Sequence, residues 1–302
     1  MTLDPQIAEL IEALDSGFPP VHTMTGAQAR ATIRSRFVPP AQPEAVGSVE
    51  DITIPGGVPV RIYRPASDVA LPIVVYAHGG GFVFCDLDSH DGLCRNLANL
   101  LTAVVISVDY RLAPEHAWPA AAEDVYAATC WAAEHATELG GDPGRLGVAG
   151  DSAGGNLAAV TTLMARDRGG PALSAQLLTY PMIAADFETE SYRLYGKGFY
   201  NPRPALQWYW DQYVPSPADR THPYASPLQA RLDGLPPAVV VIAGHDPLRD
   251  EGVAYADALE SAGVSVARCT FDGGIHGFMT MPMLDIAHEA RRQASQELAK
   301  LL

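Results

Sequence analysis

Leu146-Gly-Val-Ala-Gly-Asp-Ser-Ala-Gly-Gly155 is the stretch on which the reading of this chain turns. A short apolar run, Arg145 to Ala149, enters the pattern Gly150-x-Ser152-x-Gly154. A small-residue helical pattern leaves it, running from Asn156 to Arg166 until Gly169-Gly-Pro171 stops it. A serine on such a strand-to-helix turn has its Oγ lifted above the carboxyl edge of a sheet. The flanking glycines fit because a Cβ there would strike the neighbouring strand or helix and because a tight turn calls for unusual backbone angles. Glycine and serine alone would describe many ordinary turns. The strand before and the helix after make this one a nucleophile elbow.

A serine hydroxyl is a weak nucleophile and needs a histidine base, itself oriented by an acid. On sheets of this kind the order along the chain is serine, acid, histidine. Downstream of Ser152, the run Ala238-Val-Val-Val-Ile-Ala243 ends in Gly244-His-Asp246-Pro-Leu248. A second run, Val266 to Phe271, ends in Asp272-Gly-Gly-Ile-His276-Gly-Phe278. Asp246 and His276 therefore fall just past strand ends, where reacting groups collect in open α/β sheets. His22, His116, His135, His222 and His288 lie in loop or helix patterns away from strand ends. His245 adjoins Asp246 and would reverse the expected order. Asp272, Asp250 and Glu251 are the rival acids, the last two reading as first-turn helix residues.

Acyl chemistry also needs hydrogen-bond donors for a developing oxyanion. His78-Gly-Gly-Gly81 follows the apolar run Ile73 to Ala77, and consecutive glycines leave backbone N–H groups bare. A loop of this type completes the oxyanion hole together with the residue after the serine, here Ala153. Asp109-Tyr-Arg111 lies past another strand end and reads as a hydrogen-bonded brace. Asp151 reads as structural or substrate-limiting.

The chain has 302 residues, long enough for one large buried sheet. Its formal net charge of −15 argues against nucleic acid or an anionic membrane as partner. The first lysine or arginine is Arg30, so no secretory n-region is expected, and no apolar run is long enough to span a bilayer. Cys85, Cys94, Cys130 and Cys269 lack C-x-x-C spacing and read as reduced thiols of a cytoplasmic protein. His90 and Cys94, at i and i+4, read as helix packing; no metal and no cofactor are expected. No nucleic acid and no integral membrane association are expected of a partner, with room for a homodimer.

Outward from the elbow, the pattern alternates. Val49 to Pro55 and Val58 to Tyr63 read as a hairpin around Gly56-Gly57. Ile73 to Ala77, Ala103 to Asp109, Leu146 to Ala149, Ala175 to Tyr180 and the two runs above complete eight strands. Helical patterns fill the gaps near Ser89 to Leu101, Ala120 to Leu139 and Gly252 to Ala262. Such alternation predicts a mainly parallel sheet covered on both faces. At the N-terminus Asp4 caps a helix with Pro5 at its first position and Ile7, Leu10, Ile11 and Leu14 along one stripe. Between Ala185 and Pro215 lie nine of the 24 aromatics, which breaks the alternation. Leu206, Trp210 and Tyr213 read as a packed stripe. Phe199 and Trp208, with Phe82 beside the glycines, are the expected walls of a substrate pocket.

His78-Gly-Gly-Gly-Phe82, Asp109-Tyr-Arg-Leu-Ala-Pro-Glu-His116, Gly150-Asp-Ser-Ala-Gly-Gly155, Asp246-Pro-Leu-Arg-Asp-Glu-Gly252 and His276-Gly-Phe278 together resemble the hormone-sensitive-lipase family of α/β-hydrolases, in particular its bacterial and archaeal carboxylesterases. The resemblance runs from about residue 70 almost to the C-terminus. It implies an α/β-hydrolase fold over residues 1–302, with a helical cap from residues 1–43 and a second cap insertion at 185–222. It implies Ser152 as nucleophile, Asp246 as acid, His276 as base, and oxyanion donors from Gly80, Gly81 and Ala153. The expected activity is hydrolysis of short- to medium-chain acyl esters through an acyl-enzyme. The same machinery would serve an amidase, a peptidase or an acyltransferase, and relatives of this fold that lose a catalytic residue act as receptors.

Overall fold

The computed structural model describes residues 2–302. In chain order the elements are α1 (Pro5–Gly17), α2 (Gly26–Arg36), β1 (Ser48–Thr53), β2 (Pro59–Arg64), β3 (Leu71–Ala77), α3 (Asp91–Leu101), β4 (Val104–Val108), α4 (Ala120–Glu134), β5 (Gly141–Asp151), α5 (Ala153–Asp167), β6 (Ala175–Thr179), α6 (Glu190–Tyr195), α7 (Arg203–Tyr213), β7 (Ala238–His245), α8 (Arg249–Ser261), β8 (Val266–Ile275) and α9 (Asp285–Ala299). The strands form one eight-stranded sheet in the order β1-β2-β4-β3-β5-β6-β7-β8. β1 and β2 pair antiparallel, as do β2 and β4, and every other pairing is parallel.

Buried parallel strands carry apolar residues on both faces, and the two faces here feed different cores. Along β3, Ile73, Val75 and Ala77 join the layer under α4, α5 and α8, whereas Val74 and Tyr76 join the layer under α3 and α9. The order reverses between β3 and β5: the chain leaves β3 for β4 on one side and returns to place β5 on the other. Crevices at such a reversal, outside the carboxyl ends of the strands, are where ligands bind in this architecture.

The hairpin forms as expected, with Ile52 opposite Val60 and both turn glycines at positive φ (+94° and +85°). Several elements depart from the sequence pattern: β5 runs Gly141–Asp151 rather than Leu146 to Ala149, and α4 (Ala120–Glu134) stops short of Leu139. β8 continues to Ile275 rather than stopping at Phe271, so the strand delivers His276 directly. α9 gives little signal in the sequence because its buried stripe is built from Ala287, Ala290, Ala294 and Leu298, with Arg291 buried among them. Alanine contrasts weakly with polar neighbours but lets the helix lie close to the sheet.

Residues 5–36 add no strand to the sheet. Asp4 caps α1 by accepting from Gln6 and Ile7 N–H, and Thr25 and Gln28 form a reciprocal capping box on α2. Arg30 of α2 donates to the carbonyls of Val83 and Ala113 and pairs with Glu115, tying this segment to the loop after β3.

Candidate active site

β5 ends at Asp151 and α5 begins at Ala153, leaving Ser152 alone at the corner with φ +54° and ψ −117°. Strain of this kind costs on the order of 1–3 kcal/mol and persists only where surrounding structure enforces it. Here Ser152 N–H donates to Thr179 O (2.9 Å), while Ser152 O accepts from Asn156 N–H and Met182 N–H (3.1 and 3.0 Å). The flanking glycines answer to space rather than to backbone angle. A Cβ on Gly154 would sit 1.9 Å from Ala77 O, and one on Gly150 would sit 2.2 Å from Gly154 O. The unusual angle expected at those glycines falls on Ser152 itself.

Ser152 Oγ lies 2.9 Å from His276 Nε2, and His276 Nδ1 lies 2.7 Å from Asp246 Oδ2. A carboxylate only accepts, so Nδ1 carries the proton and Nε2 is left to accept from the serine. Asp246 is fully buried, and its other oxygen accepts from Leu248 N–H at 2.8 Å. Three of the rivals are engaged elsewhere. His245 Nδ1 meets the backbone O of Asp272, Asp250 accepts from Ser191 N–H, and Glu251 accepts from Ala184 N–H.

The turn after β3 reaches over the same corner. Gly80 O accepts from both Val83 and Phe84 N–H (3.0 Å each), with Gly80 at φ +114° and Gly81 at φ +59°. A Cβ on Gly80 would meet Phe84 O at 2.1 Å, and one on Gly81 would meet the Tyr209 ring at 2.4 Å. Among the described residues, no protein acceptor takes up the N–H of Gly80, Gly81 or Ala153. The two glycine donors border the same cavity as Ser152, and Ala153 N–H begins α5 beside it, where the helix dipole adds to the local positive potential.

Asp151 holds this turn from below. Its Oδ1 accepts from Tyr76 Oη (2.7 Å) and Gly79 N–H (2.9 Å) and lies 3.3 Å from His90 Nε2. Burial works to raise its pKa, but His90 and Tyr76 outweigh burial and hold the carboxyl below the usual carboxylate range. His90 is the N-cap residue of α3 rather than part of a helix face, so the i, i+4 pattern with Cys94 misplaces it. His78 is also fully buried, stacked on Tyr110 (4.3 Å between centroids), and burial pushes its pKa down to about 4. Tyr110 Oη donates to His78 O at 2.8 Å. The brace expected from Asp109-Tyr-Arg111 thus runs through Tyr110, while Arg111 forks onto Asp124.

The cavity over Ser152 measures about 110 Å³, and Phe18, Phe84, Cys85, Tyr200 and Tyr209 supply its walls. The three expected wall residues lie outside it. Phe82 adopts φ +62°, which turns its ring away from the glycines and into the core, stacked on Tyr213 at 3.7 Å. Phe199 packs against Tyr195 and His245. Trp208 is buried on α7, and successive residues of a helix are separated by about 100°, so its neighbour Tyr209 faces the cavity instead. Leu206, Trp210 and Tyr213 form the packed stripe that their spacing predicts.

Comparison with known proteins extends these observations. A family model described as alpha/beta hydrolase fold matches residues 74–280. Carboxylesterase NlhH of Mycobacterium tuberculosis is 41% identical over 290 residues, 93% of this chain and 91% of its own length. The ethyl acetate hydrolase of Pseudomonas putida is 38% identical over 296 residues, 93% of each chain. The hyperthermophilic esterase from the archaeon Pyrobaculum calidifontis superposes with a TM-score of 0.91 at 42% identity, covering 99% of both chains. With its motifs, sheet order and matched residues in agreement, the chain belongs to the hormone-sensitive-lipase-like family of α/β-hydrolases.

Proposed function

We propose that this chain, a carboxylic ester hydrolase, works as a serine carboxylesterase on short- to medium-chain acyl esters. The observation that carries the reading is the unbroken relay Ser152 Oγ, His276 Nε2, His276 Nδ1, Asp246 Oδ2, with contacts of 2.9 and 2.7 Å. Ser152 Oγ attacks the ester carbonyl carbon as its proton passes to His276 Nε2. The carbonyl oxygen, now negative, is taken by the N–H groups of Gly80, Gly81 and Ala153. Removing one donor of this kind typically costs roughly 3–4 kcal/mol of transition-state stabilisation. Collapse of the tetrahedral adduct breaks the bond to the alcohol oxygen, which leaves with the proton from His276. Water then attacks the acyl-enzyme, giving its proton to His276. The acid departs and Ser152 recovers its hydrogen.

Asp246 keeps the imidazole in the required tautomer and stabilises its cation without accepting the proton. The segments 1–43 and 185–222 serve as the cap, since Phe18, Tyr200 and Tyr209 close the cavity above Ser152. A small apolar cavity favours short chains over long ones. No helix among the described residues is long and apolar enough to cross a membrane. The four cysteines are free, in keeping with a cytoplasmic enzyme.

Hydrolysis of p-nitrophenyl esters from acetyl to dodecanoyl, run beside Ser152→Ala, tests this reading. Turnover should peak at short or medium chains, and Ser152→Ala should lose on the order of 10⁶-fold in kcat. Turnover persisting in a pure Ser152→Ala preparation would remove the proposed nucleophile.

A further inference from the structure

Beside the catalytic cavity lies a second one of about 260 Å³, with Ile33, Phe37 and Leu112 as its apolar part and Arg34, Asp86 and Asp109 as its polar part. Cys85 is the one residue, among those described, that lines both cavities. The catalytic cavity alone, at about 110 Å³, is small beside the roughly 300–1,000 Å³ typical of small-molecule sites, whereas the two joined would fall within that range. Cys85 sits at φ +70°, a backbone region that favours glycine. Its Cβ faces the oxyanion turn: a Cβ built on Gly80 would lie 3.0 Å from it. A side chain retained where glycine would be easier points to a role for that side chain.

We propose that Cys85 is the partition that sets the upper size of the ester, its side chain closing the catalytic cavity off from the second cavity. Removing the partition opens a compartment for a longer arm, lined by apolar Ile33, Phe37 and Leu112 and by polar Arg34, Asp86 and Asp109. The thiol acts by bulk: burial pushes its pKa up to about 12, so it stands as a neutral group in the wall. Cys85 is therefore a specificity-determining residue and takes no part in bond making.

Because the proposal rests on the esterase reading, its test compares ratios within an active enzyme. Cys85→Ala keeps the Cβ against Gly80 and deletes only Sγ. Cys85→Gly removes the partition and suits the backbone angle, and Cys85→Leu thickens the wall. Each is assayed on two series, p-nitrophenyl esters of lengthening acids and acetates of lengthening alcohols, so that the arm facing the second cavity identifies itself. In that series kcat/KM for the eight-carbon member relative to the two-carbon member should rise by about tenfold or more in Cys85→Ala and Cys85→Gly. It should fall in Cys85→Leu, each ratio being read within a variant that still turns over p-nitrophenyl acetate. Cys130→Ala, outside both cavities, serves as the control for thiol loss. Unchanged ratios in both series, in variants that still turn over the acetate, would overturn the partition and leave the esterase reading standing. A wild type that hydrolyses no acetate ester overturns both. Should Cys85→Gly fail to fold, the alanine variant decides.

Discussion

On the sheet side of the cavity, Ser152 is fixed by three backbone hydrogen bonds, and the turn over it is fixed by Asp151 and by two glycines that admit no Cβ. On the opposite side, Phe18, Tyr200 and Tyr209 come from helical segments outside the sheet. Phe18 and Tyr200 meet each other edge to face at 5.2 Å, and Tyr200 is held by its backbone N–H to Asp15. One side is built from main chain locked at strand ends; the other is built largely from side chains leaning on side chains. The difference assigns the tasks. A reaction that needs an oxyanion held to within a fraction of an ångström belongs on the rigid side. Substrate choice can be left to walls that tolerate exchange.

Asp246→Asn strikes the rigid side hardest among the conservative changes. The amide keeps the shape of the carboxylate, but its NH₂ group would face His276 Nδ1 or force the wrong tautomer, so Nε2 can no longer accept from Ser152. The expected loss is about 10⁴-fold in kcat, with KM for p-nitrophenyl acetate changed by no more than about threefold. A loss under tenfold would mean that Asp272 or another acid supports His276, and that the strand-end geometry is less exclusive than the 2.7 Å contact implies.

The same division explains what was legible in the sequence. The elbow, the order Ser152, Asp246, His276 and the glycine run are local patterns whose spacing alone carries them to one sheet edge. The pocket walls depend on how helices cross and which rotamers fit, and no local pattern encodes that. Phe82 adjoins the oxyanion glycines in sequence yet turns into the core because its φ is +62°. Tyr209 and Trp208 are neighbours in sequence, but helix rotation gives the cavity to one and the core to the other. His90 is hidden for a related reason: its partner Asp151 lies 61 residues away and meets it only when α3 packs across β2 and β4. The remaining legible signal was the apolar alternation, which yields the eight strands but passes over the alanine face of α9.

A second test concerns the acid stability of the rigid side. Buried His78 takes up a proton only near pH 4 in the folded state, against about 6.5 in the unfolded chain, because burial disfavours its cation and His90 adds to the effect. Between those values the unfolded chain binds more protons. The neutral ring therefore fits without penalty above about pH 6.5, and stability falls as the pH drops toward 4. The full loss is on the order of 3 kcal/mol. In His78→Asn, whose side chain does not titrate, the fall in Tm between pH 7 and pH 4.5 should be smaller by roughly 5–10 °C. Equal falls in both proteins would show that the His78 pocket admits water or opens below pH 6, and the contrast between a locked side and an exchangeable side would lose its basis there.

Phe18→Ala probes the opposite wall, where the smallest effect is expected. Phe18 is half-buried just past the end of α1, contributes one ring to the cavity and makes no contact with the oxyanion turn through hydrogen bonds. Its loss removes apolar wall without exposing a buried polar group, so the change should act on substrate choice more than on chemistry. At about 25 cal/mol per Å² of apolar surface, losing part of one ring against the acyl chain amounts to roughly 1 kcal/mol. That corresponds to about a fivefold shift in the kcat/KM ratio between butyryl and acetyl esters, with kcat on the acetyl ester nearly unchanged. If Phe18→Ala instead lowered kcat by the factor expected of an oxyanion donor, the wall would be transmitting its position to Gly80 and Gly81 through Tyr200 and Tyr209. The two sides of the cavity would then be one mechanical unit, and the tolerance assigned to the helical side would be wrong.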